Sequence, residues 1–131
     1  MKLPESGVSK YSLRGFSLCL CVFVVGLFFT GCEAQRRKSD AELGLNSQQA
    51  AGRHLYDQYC DRCHEPYSSR GKNGPSLKGI FKKPYLSISG FPANDERVTE
   101  ITKYGRAKMP GFGQVLDQQQ MGDLLAYLHT L

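Results

Sequence analysis

The sequence lacks the features that several classes of protein require. It has no phosphate-binding glycine loop and no nucleophile triad, so we expect no independent enzymatic activity. Its longest uncharged apolar run covers residues 16–29, fewer than the roughly twenty residues that a membrane-spanning helix needs. No strand-like alternation persists and no internal repeat occurs. These absences favour an all-α protein with one domain.

Acidic residues are outnumbered, but only slightly. Lys and Arg total 17 against 12 Asp and Glu, which gives a net charge of +5. Removal of residues 1–31, expected below, takes away Lys2, Lys10, Arg14 and Glu5 and leaves +3. The remaining basic residues are scattered and are not interleaved with aromatic residues in one patch, so we expect no nucleic-acid partner.

The first 31 residues have the organisation of an export signal. A basic flank precedes the apolar run, and the chain turns polar directly after Cys32. The run ends in FTGC, which resembles the bacterial lipobox and implies lipid attachment at Cys32. An ordinary thiol near the cleavage point and an uncleaved membrane anchor are the alternatives. We expect an exported chain, lipid-anchored on the periplasmic side of a bacterial membrane.

Behind the signal we expect a polar tether at 32–46 and one domain at 47–131. Helical spacing predicts a first helix over about 48–60, with Asn46 or Ser47 as its cap. A second follows Asn94 or Asp95, has Val98, Ile101 and Tyr104 on one side and ends at Gly105. A third follows Asp117 and carries Met121, Leu124, Leu125 and Leu128.

The stretch between the first two predicted helices is anomalous. Residues 65–93 are rich in glycine, proline, serine and lysine, and only SLKGIF hints at a helical turn. A loop of this length is uncommon in a compact domain, and a domain of this size has room for only a marginal core. An apolar group inside the fold would resolve both difficulties.

The motif CDRCH at residues 60–64 has three chemical interpretations. A zinc site lacks a second cysteine pair, and the adjacent Cys63 and His64 cannot easily face one metal. A thioredoxin-like dithiol requires a βαβ context that this chain does not have. Covalent haem fits best: both thiols bind the haem vinyl groups as thioethers, and His64 becomes an axial iron ligand.

Further segments of residues 47–131 resemble the single-haem class I c-type cytochromes. GPSLKGI at 74–80 resembles a family segment in which a proline carbonyl accepts a hydrogen bond from the axial histidine, a role that passes to Pro75. KMPGFG at 108–113 resembles the distal loop, which makes Met109 the sixth ligand. DLLAYL matches the C-terminal helix, where the family packs a glycine and an aromatic of the first helix, here Gly52 and Tyr56 against Tyr127.

The resemblance implies the cytochrome c fold, with three main helices and long loops wrapped around one covalent haem c. Gly111 and Gly113 are expected to let the distal loop approach the flat ring. His54 and His129 are weaker candidates for the axial position. The expected haem-pocket residues are Leu77, Ile80, Tyr85, Phe91 and Phe112. The loop at 82–95 matches no pattern with an assigned role.

With histidine and methionine on the iron, the expected function is outer-sphere electron transfer. Six basic residues in the loops would steer an acidic redox partner, although simple solvation explains them equally well: Lys72, Lys78, Lys82, Lys83, Arg106 and Lys108. Two alternatives stay open. The chain would be a haem subunit of a larger oxidoreductase, or a gas-binding or peroxidase-like protein whose Met109 dissociates.

Overall fold

The computed structural model describes residues 38–131. Three helices lie in this range: α1 at Ser47–Tyr59, α2 at Asp95–Tyr104 and α3 at Gln118–Leu128. One 3₁₀ turn, Ile80–Lys82, overlaps the end of the predicted SLKGIF turn at 76–81. The described range has no β-strand, only isolated bridges between Tyr85 and Pro92 and between Arg106 and Met109. The all-α prediction is confirmed.

Side-chain caps fix where the helices begin. Asn46 accepts a hydrogen bond from the backbone of Gln49, whose side chain bonds back to Asn46 in a capping box. Asp117 and Gln120 form the same arrangement at α3. Asn94 caps α2 by accepting from Arg97 N–H at 2.9 Å. Each cap satisfies a backbone donor that the helix itself leaves free, so the sequence located all three starts to within about a residue.

The main helix contact is the crossing of α1 and α3, and a glycine permits it. A Cβ added at Gly52 would lie 1.9 Å from Asp123 O and 2.9 Å from Tyr127 Cβ. Tyr56 and Tyr127 pack beside it with ring centroids 5.4 Å apart. The predicted packing of Gly52 and Tyr56 against Tyr127 is confirmed, and it accounts for a glycine inside α1 despite its cost to the helix.

Helix α2 differs from its prediction on one face. Val98 is buried, as expected, but Tyr104 is 75% exposed and Thr102 is buried in its place. Tyr104 therefore does not share the burial of Val98, although the helical spacing placed the two on one side. Only the last turn is affected, because Gly105 with φ +77° ends the helix and the chain turns away.

The core of the described domain is small. Met121 belongs to it. The eight buried apolar residues are Tyr56, Cys60, Val98, Leu116, Met121, Leu124, Tyr127 and Leu128. A further ten residues are only partly buried around them: Leu45, Leu55, Tyr59, Leu77, Ile80, Phe81, Leu86, Phe112, Leu125 and Leu131. So many half-covered apolar side chains leave room for an apolar group to complete the core.

The C-terminal part of the predicted tether is folded. Asp40 Oδ1 accepts a hydrogen bond from the buried Arg53 at 2.8 Å, and Leu45 packs against the core. Ordered contacts therefore begin before the predicted boundary at residue 47. The predicted signal, Cys32 and the first part of the tether lie outside the described residues. None of the helices within 38–131 is long and apolar enough to cross a membrane.

Candidate haem site

The CDRCH motif forms a turn that continues directly from α1. Cys60 caps the C-terminus of α1 by donating its N–H to Tyr56 O. The N–H groups of Cys63 and His64 both bond to Cys60 O, at 3.0 and 2.9 Å. Cys60 is buried and Cys63 half-buried, and both are free thiols. The turn places two unpaired thiols and an imidazole within five residues at one end of the helix.

Burial sets the chemistry of the Cys60 thiol. It raises the pKa of that thiol to about 12, and the neighbouring Cys63 adds to the shift. A redox-active dithiol instead depends on a cysteine whose pKa is lowered so that the thiolate forms near neutral pH. Burial therefore disfavours Cys60 as the attacking thiolate of a redox pair.

A backbone carbonyl fixes the tautomer of His64. Nδ1 lies 2.8 Å from Pro75 O, the pair that the resemblance implied. A carbonyl oxygen can only accept, so Nδ1 carries the proton and Nε2 keeps its lone pair in the neutral ring. An imidazole held this way presents Nε2 as a metal ligand with a raised basicity. The His64 imidazole, with Nε2 free, therefore fits the role of an axial ligand to haem iron.

Two more residues hold His64 in place. Gly74 lies against the ring: a Cβ there would be 2.6 Å from Cε1 and 2.9 Å from Nδ1 of His64. The buried Tyr56 hydroxyl donates to His64 O at 2.8 Å. Sequence reasoning placed Tyr56 only in the helix crossing and gave Gly74 no separate role. The glycine directly before Pro75 was the available signal.

Met109 lies in a tight turn attached to the end of α2. Arg106 N–H donates to Met109 O at 3.0 Å, and Met109 N–H donates to Arg106 O at 2.9 Å. Ala107 has a positive φ of 52° within this turn. Met109 itself is half-buried. The turn therefore fixes the Met109 backbone through Arg106.

The glycines of the Met109 loop pack against α2. A Cβ at Gly111 would be 2.8 Å from Lys103 O, and one at Gly113 would be 2.6 Å from Lys103 Cγ. Both glycines therefore allow the loop to lie against the backbone of the helix, and their expected approach to the flat ring stays a prediction. Phe112 N–H donates to Thr102 O at 2.8 Å and holds the loop there.

Only some of the expected haem-pocket residues pack against the core. Leu77, Ile80 and Phe112 are partly buried and pack against the core. Tyr85 is 61% exposed, so the structure does not place it with them. Phe91 lies beneath the guanidinium groups of Arg97 and Arg106, at 5.6 and 4.7 Å from the ring centroid.

The two alternative axial histidines and two of the basic loop residues each lie close to another polar or aromatic group. The exposed His54 lies 3.4 Å from Asp40, and His129 stacks on Phe81 while Nε2 lies 2.7 Å from Asp95. Of the six basic loop residues, Lys72 donates to Asp61 O at 2.7 Å and Lys82 donates to Leu131 O at 3.2 Å. Within residues 38–131 no three His, Cys, Asp or Glu side chains are grouped for a metal ion.

Comparison with known proteins identifies the family of this chain. A family model described as cytochrome c oxidase, cbb3-type, subunit III, matches residues 47–128. Cytochrome c6 of Rippkaea orientalis is 30% identical over 84 residues, which cover 64% of this chain and 71% of that protein. Cytochrome c2 of Blastochloris viridis is 32% identical over 95 residues, covering 60% of this chain and 74% of that protein.

A third relative is part of an enzyme. The cytochrome c subunit of 4-cresol dehydrogenase (hydroxylating) from Pseudomonas putida is 30% identical over 69 residues, covering 45% of this chain and 61% of that subunit. The range matched by the family model, 47–128, includes the thiol pair and all three helices. The chain therefore belongs to the cytochrome c family, as an electron carrier with one covalently bound haem c and no enzymatic activity of its own.

Proposed function

We propose that Cys60 and Cys63 attach the haem and that His64 and Met109 are its axial ligands. The observation that carries this assignment is the hydrogen bond from His64 Nδ1 to Pro75 O, at 2.8 Å, which leaves Nε2 free for iron. Cys60 and Cys63 would hold the haem through one thioether bond each. Haem supplies one-electron redox chemistry, and the protein determines its ligands and surroundings.

The chain's own residues restrict that chemistry to electron transfer. His64 and Met109 would fill both axial positions, which excludes substrate and oxygen from the iron. A thioether ligand from Met109 favours the ferrous state and raises the potential. Tyr56 and Gly74, by holding His64, limit the rearrangement that accompanies a change of charge.

A redox titration followed by absorbance tests the Met109 assignment. Met109→Ala is expected to lower the reduction potential and to open the iron to carbon monoxide. Met121→Leu, in the buried core, should leave the potential and the binding of carbon monoxide unchanged.

Mass spectrometry of the mature chain tests the covalent attachment and should find one haem mass on the peptide that contains Cys60 and Cys63. An unaltered spectrum in Met109→Ala, or a peptide without haem, contradicts the corresponding assignment.

A subunit of a larger oxidoreductase is the second candidate. The relative within 4-cresol dehydrogenase and the description of the family model both favour it. Extraction in mild detergent followed by size-exclusion chromatography distinguishes a single carrier from a subunit of a complex. A single carrier elutes alone, whereas a subunit elutes with further proteins in fixed proportion. Rapid binding of carbon monoxide by the reduced wild type would instead favour the gas-binding alternative.

We also propose that the chain is exported and anchored by lipid at Cys32, with residues 1–31 removed. The tether predicted at 32–46 would then lead from Cys32 to the contacts of Asp40 and Leu45 with the domain. The signal-like pattern and the FTGC sequence support this. Mass spectrometry of the N-terminal peptide should find diacylglycerol on Cys32. Cys32→Ser should move the protein from the membrane to the soluble fraction, and an unchanged distribution contradicts the lipid anchor.

A further inference from the structure

The loop at 84–93 is closed by its own backbone. Leu86 N–H donates to Phe91 O at 2.8 Å, Gly90 N–H to Leu86 O at 2.9 Å, and Ala93 N–H to Pro84 O at 3.1 Å. Leu86 packs against the core and anchors the loop. These contacts fix the position of Phe91 independently of Met109.

Phe91 connects this loop to two other elements. Arg97 of α2 lies over its ring at 5.6 Å from the centroid, and Arg106 of the Met109 turn lies at 4.7 Å. A guanidinium over an aromatic face at an exposed site stabilises by about two- to fivefold in an equilibrium constant. The Arg106 contact is the shorter of the two, and it is the one that reaches the Met109 turn.

What fixes Arg106 also fixes Met109. The two residues exchange both backbone hydrogen bonds, at 3.0 and 2.9 Å. The positive φ of Ala107 makes the turn between them tight, so Met109 cannot swing outward without moving Arg106 or breaking this pair. The aromatic ring of Phe91 therefore opposes that movement.

We propose that Phe91 is a positioning residue that holds the Met109 turn closed through Arg106. The inference rests on the proposed function, in which Met109 is the sixth ligand. Phe91 sets the fraction of molecules in which the sulfur is withdrawn and an outside ligand has access. The 84–93 loop thereby acts as a strap on the axial methionine.

The test is imidazole binding to the ferric holoprotein, followed by absorbance. The apparent affinity of an outside ligand is proportional to the fraction of molecules that are open. Phe91→Leu removes the ring face and keeps the apolar bulk, and it should bind imidazole about two- to fivefold more tightly. Phe91→Tyr keeps the ring and should match the wild type.

A second pair of variants distinguishes loss of the Arg106 contact with the Phe91 ring from loss of a positive charge. Arg106→Gln should raise imidazole affinity about two- to fivefold relative to Lys108→Gln, which removes the same charge from the same exposed turn. Thermal unfolding of each variant checks that the domain remains folded. If Phe91→Leu fails to fold, the comparison of Arg106→Gln with Lys108→Gln decides the proposal.

The two proposals fail in different ways. Equal imidazole affinity in wild type, Phe91→Leu and Arg106→Gln overturns the strap and leaves Met109 ligation intact. If Met109→Ala does not change the wild-type spectrum, the ligand assignment fails, and with it the proposal that depends on it.

Discussion

Two glycines inside helices illustrate how one residue type can serve different purposes. Gly52 of α1 touches the backbone of α3, whereas a Cβ at Gly122 would meet only Gln48 Nε2, at 4.0 Å. Both reduce the intrinsic stability of their helices, because glycine loses more backbone entropy on folding than alanine does. Only Gly52 gains a helix contact in return.

Gly52→Ala is expected to destabilise the domain by about 2–3 kcal/mol, because the new methyl group would overlap a backbone carbonyl that cannot move aside. Gly122→Ala is the matched control and should stabilise the domain by about 0.5–1 kcal/mol. Chemical denaturation of the holoprotein measures both. Equal effects of the two substitutions would contradict the close packing at Gly52.

The buried hydroxyl of Tyr127 should make the folded domain less stable at alkaline pH. Burial raises the pKa of its hydroxyl above the ordinary 10.0, and the hydrogen bond with Tyr67 adds to the shift. Above pH 10 the unfolded chain releases this proton while the folded chain keeps it, so the folded state binds more protons. Stability is therefore complete below pH 10 and falls as the pH rises further.

Tyr127→Phe should weaken that alkaline loss of stability, since the group that stays protonated is gone. Tyr104→Phe, at an exposed tyrosine, is the control substitution. Unfolding midpoints between pH 9 and 12 measure the slopes. A slope in Tyr127→Phe equal to that of the wild type would show that another group is responsible. The substitution also removes the hydrogen bond to Tyr67, which costs about 1 kcal/mol at every pH.

At the scale of elements, the start of α3 is determined by its capping box. Asp117 accepts from Gln120 N–H at 2.8 Å, and the Gln120 side chain bonds back to Asp117 N–H at 3.0 Å. Asp117→Ala should cost about 1 kcal/mol, and Asp117→Asn, which keeps the cap, only a few tenths. Thermal unfolding compares them. Equal losses would indicate that the charge matters and the cap does not.

Local signals also explain which elements the sequence predicted well. The caps at Asn46, Asn94 and Asp117 lie within a few residues of the backbone groups they satisfy, so their effect does not depend on the rest of the fold. The exposure of Tyr104 does depend on it. Helical spacing placed Tyr104 beside Ile101, but Tyr104 is the last residue of the helix and is 75% exposed.

At the scale of the whole molecule, the hydrophobic core of the described residues is incomplete. Eight apolar side chains are buried, and ten more are only partly covered. A domain of this size is marginally stable when its core is incomplete. We therefore expect the haem to contribute a large share of the stability.

A chain that cannot attach haem should show this directly. Cys60→Ala with Cys63→Ala is expected to lose the cooperative thermal transition and much of its helical circular dichroism signal, because the half-covered apolar residues then face water. The haem-bound wild type is the reference. A cooperative transition in the haem-free variant would show that the polypeptide core is sufficient.

The sequence by itself determined the chemistry of the attachment motif and the positions of the helices. Those depend on residues close together in the chain, such as the pair Cys60 and Cys63 and the cap at Asn46. Tertiary structure alone decided that Tyr56 holds His64, that Gly111 lies against α2 and that Phe91 reaches Arg106. Such contacts join segments whose separation in the chain carries no periodic signal, so only the folded backbone brings them together.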